Sequence, residues 1–152
     1  MKKIYCKMQN CLGCKSCELA CAAAHSEAKE LLAAAKDKTL AKPRIRVECI
    51  DEKGEVHRVR AIAVQCRQCE DPACAQACIA GGIRKDKETG EIVVNLEKCV
   101  GCWSCIMVCP VGAIAKDEEL KQALKCDHCP DLDTPACIVA CPTGALEMGK
   151  LD

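Results

Sequence analysis

The chain has 152 residues, with 22 basic and 22 acidic side chains and therefore a formal net charge of zero. This length favours a single domain, and the balanced charge argues against a nucleic-acid-binding protein, which needs a cationic surface. Cysteine accounts for 18 residues, whereas there is one Trp, one Tyr and no Phe, so aromatic side chains cannot build the core.

The N-terminal segment MKKIYCKMQNC has two lysines but neither the apolar stretch nor the cleavage site of a secretory signal. No run of 18 apolar residues occurs, so we expect no membrane span and a cytoplasmic protein whose thiols stay reduced. Cys6 lies alone in this segment, and we expect it to pack as a small apolar side chain and not to bind metal.

The first cysteine run is CLGCKSCELAC. It contains Cys11, Cys14, Cys17 and Cys21. No proline follows the run, and residues 22–37 are rich in strong helix formers, so we predict a helix over 22–37. His25 lies in this segment and is not expected to bind metal.

A predicted hairpin comes next, formed by PRIRVECI and VHRVRAIAV around the turn residues 51–54. Ile45, Val47 and Cys49 alternate with charged residues, which places Cys49 on the apolar face of the first strand as a packing residue. His57, in the second strand, is not expected to bind metal.

The second run is CRQCEDPACAQAC. It contains Cys66, Cys69, Cys74 and Cys78. Ile79 follows it directly, where proline follows the last cysteine of the third and fourth runs. The segment IRKDKETGEIVV then predicts a second hairpin, with its turn at Thr89-Gly90.

The third run is CVGCWSCIMVCP. It contains Cys99, Cys102, Cys105 and Cys109. Trp103 lies inside this run, and we expect it to cover a bound group and exclude water. After the run, DEELKQALK predicts a short helix over residues 117–125, with Asp117 as the N-cap and Lys125 near its end.

The fourth run is CDHCPDLDTPACIVAC. It contains Cys126, Cys129, Cys137 and Cys141. His128 lies between two of these cysteines but is not expected to bind metal, because the run already supplies three thiols. The first and third runs share CxGCxSCxxxC, and the second and fourth share an acidic insert followed by PACxxAC, which indicates duplicated units.

Three interpretations account for so many cysteines. Disulfides suit an even number in a small chain, but the absence of an export signal argues against them. Structural zinc uses separated CxxC pairs, whereas these thiols come as triplets plus one, so a zinc-binding scaffold is the weaker alternative. The spacing C-x2-C-x2-C-x3-C-P is that of bacterial ferredoxins, in which three cysteines hold one [4Fe-4S] cluster and the fourth binds the neighbouring cluster.

The order of the four runs, with the long insert in the fourth, resembles the four-cluster ferredoxin-like electron-transfer subunits of anaerobic oxidoreductases. CLGCKSCELACAAAHS, RIRVE, QCRQCEDPAC and KCVGCWSCIMVCPVGAI are most similar to the small electron-transfer subunit of nickel–iron carbon monoxide dehydrogenases. Tungsten aldehyde oxidoreductases, formate dehydrogenases and hydrogenases, which have comparable subunits, are the alternative partners.

The resemblance implies an α+β fold of two ferredoxin-like dicluster modules with short helices and β-hairpins. The inner module spans about residues 61–115, and the outer module, about 1–60 plus 116–152, is split around it within one compact unit. It also implies four [4Fe-4S] clusters with a nested set of ligands. The first cluster takes Cys11, Cys14, Cys17 and Cys141; the second Cys66, Cys69, Cys74 and Cys109; the third Cys99, Cys102, Cys105 and Cys78; and the fourth Cys126, Cys129, Cys137 and Cys21.

No nucleotide-binding fingerprint or catalytic triad occurs, and sixteen thiolates complete the ligand sets of four clusters. We therefore expect a non-catalytic subunit that relays electrons between a larger oxidoreductase subunit and a second redox partner. We also predict that the backbone N–H of Ile79, which proline would lack, donates toward a cluster sulfur and raises the potential of the cluster held by Cys78.

Overall fold

The structure, a computed structural model, describes residues 3–36, 40–52 and 58–149. Its elements are short. The strands are β1 (Lys3–Cys6), β2 (Arg46–Glu52), β3 (Arg58–Val64), β4 (Ile83–Lys85), β5 (Ile92–Val94), β6 (Ile114–Asp117), β7 (Gln122–Lys125) and β8 (Leu146–Gly149). The α-helices are α1 (Ser16–Ala24), α2 (Leu31–Lys36), α3 (Ala73–Gln76), α4 (Ser104–Met107) and α5 (Ala136–Val139).

The strands pair into two-stranded antiparallel sheets, β1 with β8, β2 with β3, β4 with β5 and β6 with β7. Each of the last three sheets lies in the sequence between two consecutive cysteine runs, and β1–β8 joins the segment after the fourth run to the segment before the first. Helix α1 packs on α5 and α3 packs on α4. The arrangement is the predicted α+β architecture of short helices and hairpins.

The hairpin predicted at residues 83–94 is confirmed as β4–β5. Its turn is held by Asp86, whose carboxylate accepts hydrogen bonds from the backbone N–H groups of Glu88 and Thr89 at 3.0 and 2.9 Å. Gly90 closes the turn with φ of +72°, a conformation that glycine adopts at low cost.

The predicted helix over residues 117–125 is wrong, because this segment forms the turn and second strand of the β6–β7 hairpin. The Asp117 carboxylate accepts hydrogen bonds from the N–H groups of Glu119 and Leu120 at 3.1 and 3.2 Å. The side chain thus makes the contacts of an N-cap, but it stabilises a turn. Pairing of Gln122–Lys125 with Ile114–Asp117 overrides the helix propensity of the segment.

The single helix predicted over residues 22–37 is also corrected. Helix α1 begins earlier, at Ser16, and ends at Ala24, and a separate helix α2 begins at Leu31. The break has a local cause, since the Ser26 hydroxyl donates to the Ala22 carbonyl at 2.7 Å and accepts from the Ala41 N–H at 2.9 Å. This side chain competes with the helical hydrogen-bond pattern.

The predicted hairpin after the first run is confirmed as β2–β3. Strand β2 continues through Glu52, and the rest of the predicted turn, together with His57, lies outside the described residues. Ile45 is buried and Val47 packs against the core, but Cys49 is exposed. The prediction that Cys49 packs on a half-buried face is therefore wrong, because the hairpin extends beyond the core at that point.

The buried side chains form two groups that both include cysteines. The first combines Ile4, Ile45, Ala63 and Leu146 with Cys17, Cys21, Cys66, Cys126 and Cys137. The second combines Ile83, Ile92, Ile114 and Ala123 with Cys105. The two modules stay a prediction, and their boundary at residue 115 falls inside β6. Among the described helices, none is long and apolar enough to cross a membrane.

Candidate functional site

All eighteen cysteines are free thiols in the structure, so the disulfide alternative is not realised. In every run the third cysteine is the second residue of a short helix. These residues are Cys17 in α1, Cys74 in α3, Cys105 in α4 and Cys137 in α5. The repeated position means that the start of a short helix orients the third thiol in all four runs.

The two types of run reach this position differently. In the first and third runs the residue before the helix is left-handed, Lys15 and Trp103 both having φ of +62°. Gly13 and Gly101 are also left-handed in these loops. In the second and fourth runs an extended proline, Pro72 or Pro135, precedes the helix. The two types of run that alternate in the sequence thus differ in the backbone conformation that precedes the helix.

The fourth cysteine of each run has its sulfur fixed by a backbone N–H. Cys78, Cys109 and Cys141 accept from Ile83, Ala113 and Ala145 at 3.4, 3.3 and 3.2 Å. Cys21, which lacks the turn found after the others, accepts from Arg44 at 3.2 Å. Such N–H donors suit a sulfur that carries negative charge, as in a cluster ligand.

Three cavities are each lined by four run cysteines. We name each site after the first cysteine of the triplet that it contains. The Cys11 site, a cavity of about 310 Å³, is lined by Cys11, Cys14, Cys17 and Cys141. The Cys66 site, about 340 Å³, is lined by Cys66, Cys69, Cys74 and Cys109. The Cys99 site, about 380 Å³, is lined by Cys99, Cys102, Cys105 and Cys78. The matching sets of four thiols fit three copies of one kind of group.

The remaining run cysteines are Cys126, Cys129, Cys137 and Cys21, which we name the Cys126 site. Cys21, Cys126 and Cys137 pack in the first core group. Burial raises the pKa of Cys137, and the thiols of Cys126, Cys21 and Cys129 raise it further, as expected for neighbouring thiols that repel one another when ionised.

Burial dominates the electrostatics of the most deeply buried thiols. It raises the pKa of Cys17 and of Cys105 to about 11, and that of Cys126 to about 12. Thiolates packed together away from water need positive charge beside them, and iron supplies it. The donor set therefore fits [4Fe-4S] clusters, whose irons are bound by four thiolates.

Two run cysteines face solvent, Cys14 and Cys102. The Ser16 hydroxyl, 3.4 Å from the Cys14 sulfur, lowers the pKa of Cys14. The backbone N–H of Ser104 lowers the pKa of Cys102. Both residues occupy the same place in their runs, so the Cys11 and Cys99 sites each present one edge to the surface.

The other cysteines do not complete a set of four. Cys6 packs against the first core group, and its sulfur accepts the Ala63 N–H at 3.4 Å, as expected for a packing residue. Cys49 lies near the first run, since a Cβ added to Gly13 would be 3.4 Å from its sulfur. Neither residue lines one of the three cysteine cavities.

His25 is held by its neighbours at the Cys126 site. Its Nδ1 lies 2.7 Å from the Cys21 carbonyl oxygen and its Nε2 lies 3.1 Å from the Asp127 carboxylate. The hydrogen bonds to Asp127 and Cys21 raise the pKa of His25 to about 10. Arg44 also pairs with Asp127. Although His25, Asp127 and Cys129 are near enough to share a metal ion, hydrogen bonding accounts for both nitrogens of His25.

His128 and Trp103 occupy the surroundings of the sites. His128 is buried, and burial lowers its pKa; its nearest carboxylate is that of Glu91, at 3.9 Å. Trp103 lines the Cys99 site, and Lys116 lies 4.9 Å above its ring; that Trp103 shields a bound group from water stays a prediction. No sequence pattern predicts the Arg44–Asp127–His25 contacts, because they join segments that are far apart in the chain.

Comparison with known proteins agrees with this chemistry. Residues 57–151 match the family described as 4Fe-4S dicluster domain. The protein is 38% identical to an iron–sulfur protein of Rhodospirillum rubrum, with 98% of this sequence and 82% of that protein aligned. It is 36% identical to the electron transport protein HydN of Escherichia coli (90% and 81% aligned) and 34% identical to a subunit of the anaerobic dimethyl sulfoxide reductase of that species (93% and 70% aligned).

Proposed function

The protein belongs to the 4Fe-4S dicluster domain family, and on that premise we propose that it carries four [4Fe-4S] clusters and relays electrons between a catalytic oxidoreductase subunit and a second redox partner. Its relatives are named as iron–sulfur and electron-transport proteins. It is accordingly an electron-transfer protein of oxidoreductase complexes and not a catalytic subunit. The number of clusters and the identity of the partner are the proposal.

One observation supports the number of clusters above all others. The nested ligand sets implied by the family resemblance coincide with the thiols that line the three cysteine cavities. In each cavity the fourth cysteine comes from a different run than the first three. The Cys126 site has the same composition, three thiols from the fourth run and one from the first.

The sites follow one another through the molecule. The Cys11 and Cys126 sites share α1, which carries Cys17 and Cys21. The Cys66 and Cys126 sites meet in the first core group, where Cys66 and Cys126 are both buried. The Cys66 and Cys99 sites are linked by their fourth cysteines, since Cys109 of the third run lines the Cys66 site and Cys78 of the second run lines the Cys99 site. Bound clusters would supply one-electron transfer, and the order of sites along the path is Cys11, Cys126, Cys66, Cys99.

The two ends of this path are the sites that reach the surface. Cys14 is exposed at the Cys11 site and Cys102 at the Cys99 site. Exposed apolar residues flank them, Leu12 at 71% exposure and Val100 at 64%. We infer that one of these ends contacts the catalytic subunit and the other contacts the second redox partner.

For the catalytic partner we propose carbon monoxide dehydrogenase, on the strength of the resemblance in the first three runs. An equivalent role with a tungsten aldehyde oxidoreductase, a formate dehydrogenase or a hydrogenase is the alternative, and one relative is a subunit of dimethyl sulfoxide reductase. Anaerobic affinity purification from the native cell, followed by mass spectrometry, tests this. A co-purifying carbon monoxide dehydrogenase supports the proposal, and a hydrogenase or a tungsten or molybdenum enzyme overturns it in favour of the alternative.

Coulometric titration of the purified protein with dithionite tests the relay itself. Four clusters that each accept one electron predict an uptake of about four electrons per molecule. Double substitution of Cys99 and Cys102 with Ala should remove about one of these. The zinc-scaffold alternative predicts no uptake in either protein, because zinc has no redox chemistry.

A further inference from the structure

Lys125 is a buried lysine at the point where two of the sites meet. It is the last residue of β7 and immediately precedes Cys126. Its side chain is only 2% exposed, and it also lines the cavity of the Cys66 site. Lysine is almost never fully buried unless a partner compensates its charge, because removing an ammonium from water is strongly unfavourable.

The partners of Lys125 are neutral. Its Nζ donates to the carbonyl oxygens of Ile92 and Cys126 at 2.7 and 2.8 Å. Within residues 3–36, 40–52 and 58–149, no carboxylate forms an ion pair with it, whereas most other paired lysines there contact Asp or Glu. An ammonium has three N–H donors, so one donor remains after the two carbonyls are satisfied.

Thiols of both neighbouring sites lie beside this charge, since Cys74 lines the same cavity as Lys125 and Cys126 is the next residue in the chain. Burial raises the pKa of Cys74 and of Cys126, and the Lys125 ammonium acts on both in the opposite direction. Cys74 belongs to the Cys66 site and Cys126 to its own. The cation thus lies between two groups of thiols that become anionic when they bind iron.

We propose that Lys125 is the shared counter-cation of the Cys66 and Cys126 sites and that its charge raises the reduction potential at both. This proposal rests on the proposed function, since it needs a cluster at each site. Reduction adds one electron to a site that is already negative, and a cation in surroundings of low dielectric constant stabilises the added charge. These two sites lie in the middle of the path. Lys125 therefore also stabilises an electron as it passes from one of them to the other.

The experiment compares three variants of the holoprotein. Lys125→Gln removes the charge but retains a donor for the carbonyls, and Lys125→Arg retains the charge. Lys85→Gln is the matched control, because Lys85 also donates to a carbonyl, that of Glu70 at 2.6 Å, but is exposed. Iron and sulfide are first measured in each protein, and the potentials are then obtained from redox titrations monitored by electron paramagnetic resonance.

In Lys125→Gln we expect two of the redox steps to move to lower potential, each by at least a tenfold change in the reduction equilibrium constant, about 59 mV for one electron. The other two steps should stay in place, and Lys125→Arg and Lys85→Gln should resemble the wild type. Assembly of Lys125→Arg but not of Lys125→Gln would also support the proposal, since it shows that the charge is required.

An unchanged set of potentials in Lys125→Gln would overturn the proposal, as would an equal shift of all steps. Failure of both Lys125 variants to retain iron would also contradict the proposal. It would show that the sites need the packing of the lysine side chain and not its charge. Measurements on the wild-type protein separate this outcome from a failure of the proposed function. If the proposed function is wrong, the wild type itself will contain too little iron or show too few redox steps.

Discussion

At the scale of single residues, the fourth cysteine of each run connects distant parts of the chain. Cys141 lines the Cys11 site although it lies 130 positions after Cys11 in the sequence. Its sulfur accepts the Ala145 N–H, and Gly144, with φ of +61°, closes the turn between them. The turn therefore presents this thiol to a site whose other three thiols belong to the first run.

Removal of this one thiol should affect a whole site. We expect Cys141→Ala to lose up to about four of sixteen iron atoms, because three thiolates bind a [4Fe-4S] cluster incompletely. Cys6→Ala is the matched control, since Cys6 packs nearby but does not line the site, and it should retain its iron. Equal iron loss in the two variants would contradict the assigned ligand set.

The missing proline after Cys78 gives a second prediction. Gly81, Gly112 and Gly144 donate their N–H groups to the carbonyls of Cys78, Cys109 and Cys141 in equivalent turns. Ile79 is 77% exposed and occupies the position that proline takes in the turns after Cys109 and Cys141. Ile79→Pro should therefore leave the free energy of unfolding within about 1 kcal/mol of the wild type.

The same substitution removes the Ile79 N–H. If this group donates toward a sulfur of the bound cluster, Ile79→Pro should lower the potential of the cluster at the Cys99 site. Redox titration monitored by electron paramagnetic resonance measures this, with Ile79→Ala as a control that keeps the N–H. A potential that does not change would rule out the hydrogen bond.

At the scale of elements, the loop of the third run packs closely on the β6–β7 turn. A Cβ added to Gly101 would lie 2.8 Å from the Lys121 carbonyl oxygen, and Gly101 has φ of +66°. Both the conformation and the space therefore require glycine. Gly90, in the β4–β5 turn, has φ of +72° but no atom within 4 Å of an added Cβ.

This difference yields a paired prediction. Gly90→Ala should cost about 1 kcal/mol, from the left-handed conformation alone. Gly101→Ala should cost about 3 kcal/mol, because the contact with the Lys121 backbone adds an overpacking penalty. Anaerobic thermal unfolding of the two holoproteins checks this, and equal melting temperatures would show that the contact with Lys121 is not a tight one.

The predictions from sequence succeeded where a local pattern was sufficient. The spacing of the cysteines predicted the loops, and the turn residues predicted β2–β3 and β4–β5. The segment 117–125 was assigned wrongly because its helix formers are outweighed by pairing with Ile114–Asp117, which the residues of the segment alone do not reveal. The burial of Lys125 was equally hidden, since it depends on a carbonyl of Ile92 on another strand.

At the scale of the molecule, the core has few large side chains. Few large side chains that the structure describes are almost fully buried, among them Ile4, Gln68 and Lys125, and the two core groups consist mainly of Cys, Ile and Ala. Four oxidised clusters with their thiolates would also bring about −8 of charge to a protein that is otherwise neutral. We therefore expect the fold to depend on the bound clusters, which would fill the space that large side chains do not.

Removal of iron should therefore unfold the protein. Treatment with a chelator and an oxidant is expected to abolish the cooperative thermal transition and the protection from proteolysis, because binding free energy of the metal contributes directly to folding. Circular dichroism and limited trypsin digestion measure the two effects. Rebuilding with iron and sulfide should restore both, and an apoprotein that melts cooperatively would show that the polypeptide core is sufficient.

The most direct test of the central claim is the metal content of the protein purified without oxygen. Four [4Fe-4S] clusters predict about sixteen iron atoms and about sixteen acid-labile sulfides per molecule, with no stoichiometric zinc. A content of about eight iron atoms would contradict the assignment of four sites. A few zinc ions without sulfide would contradict the electron relay altogether.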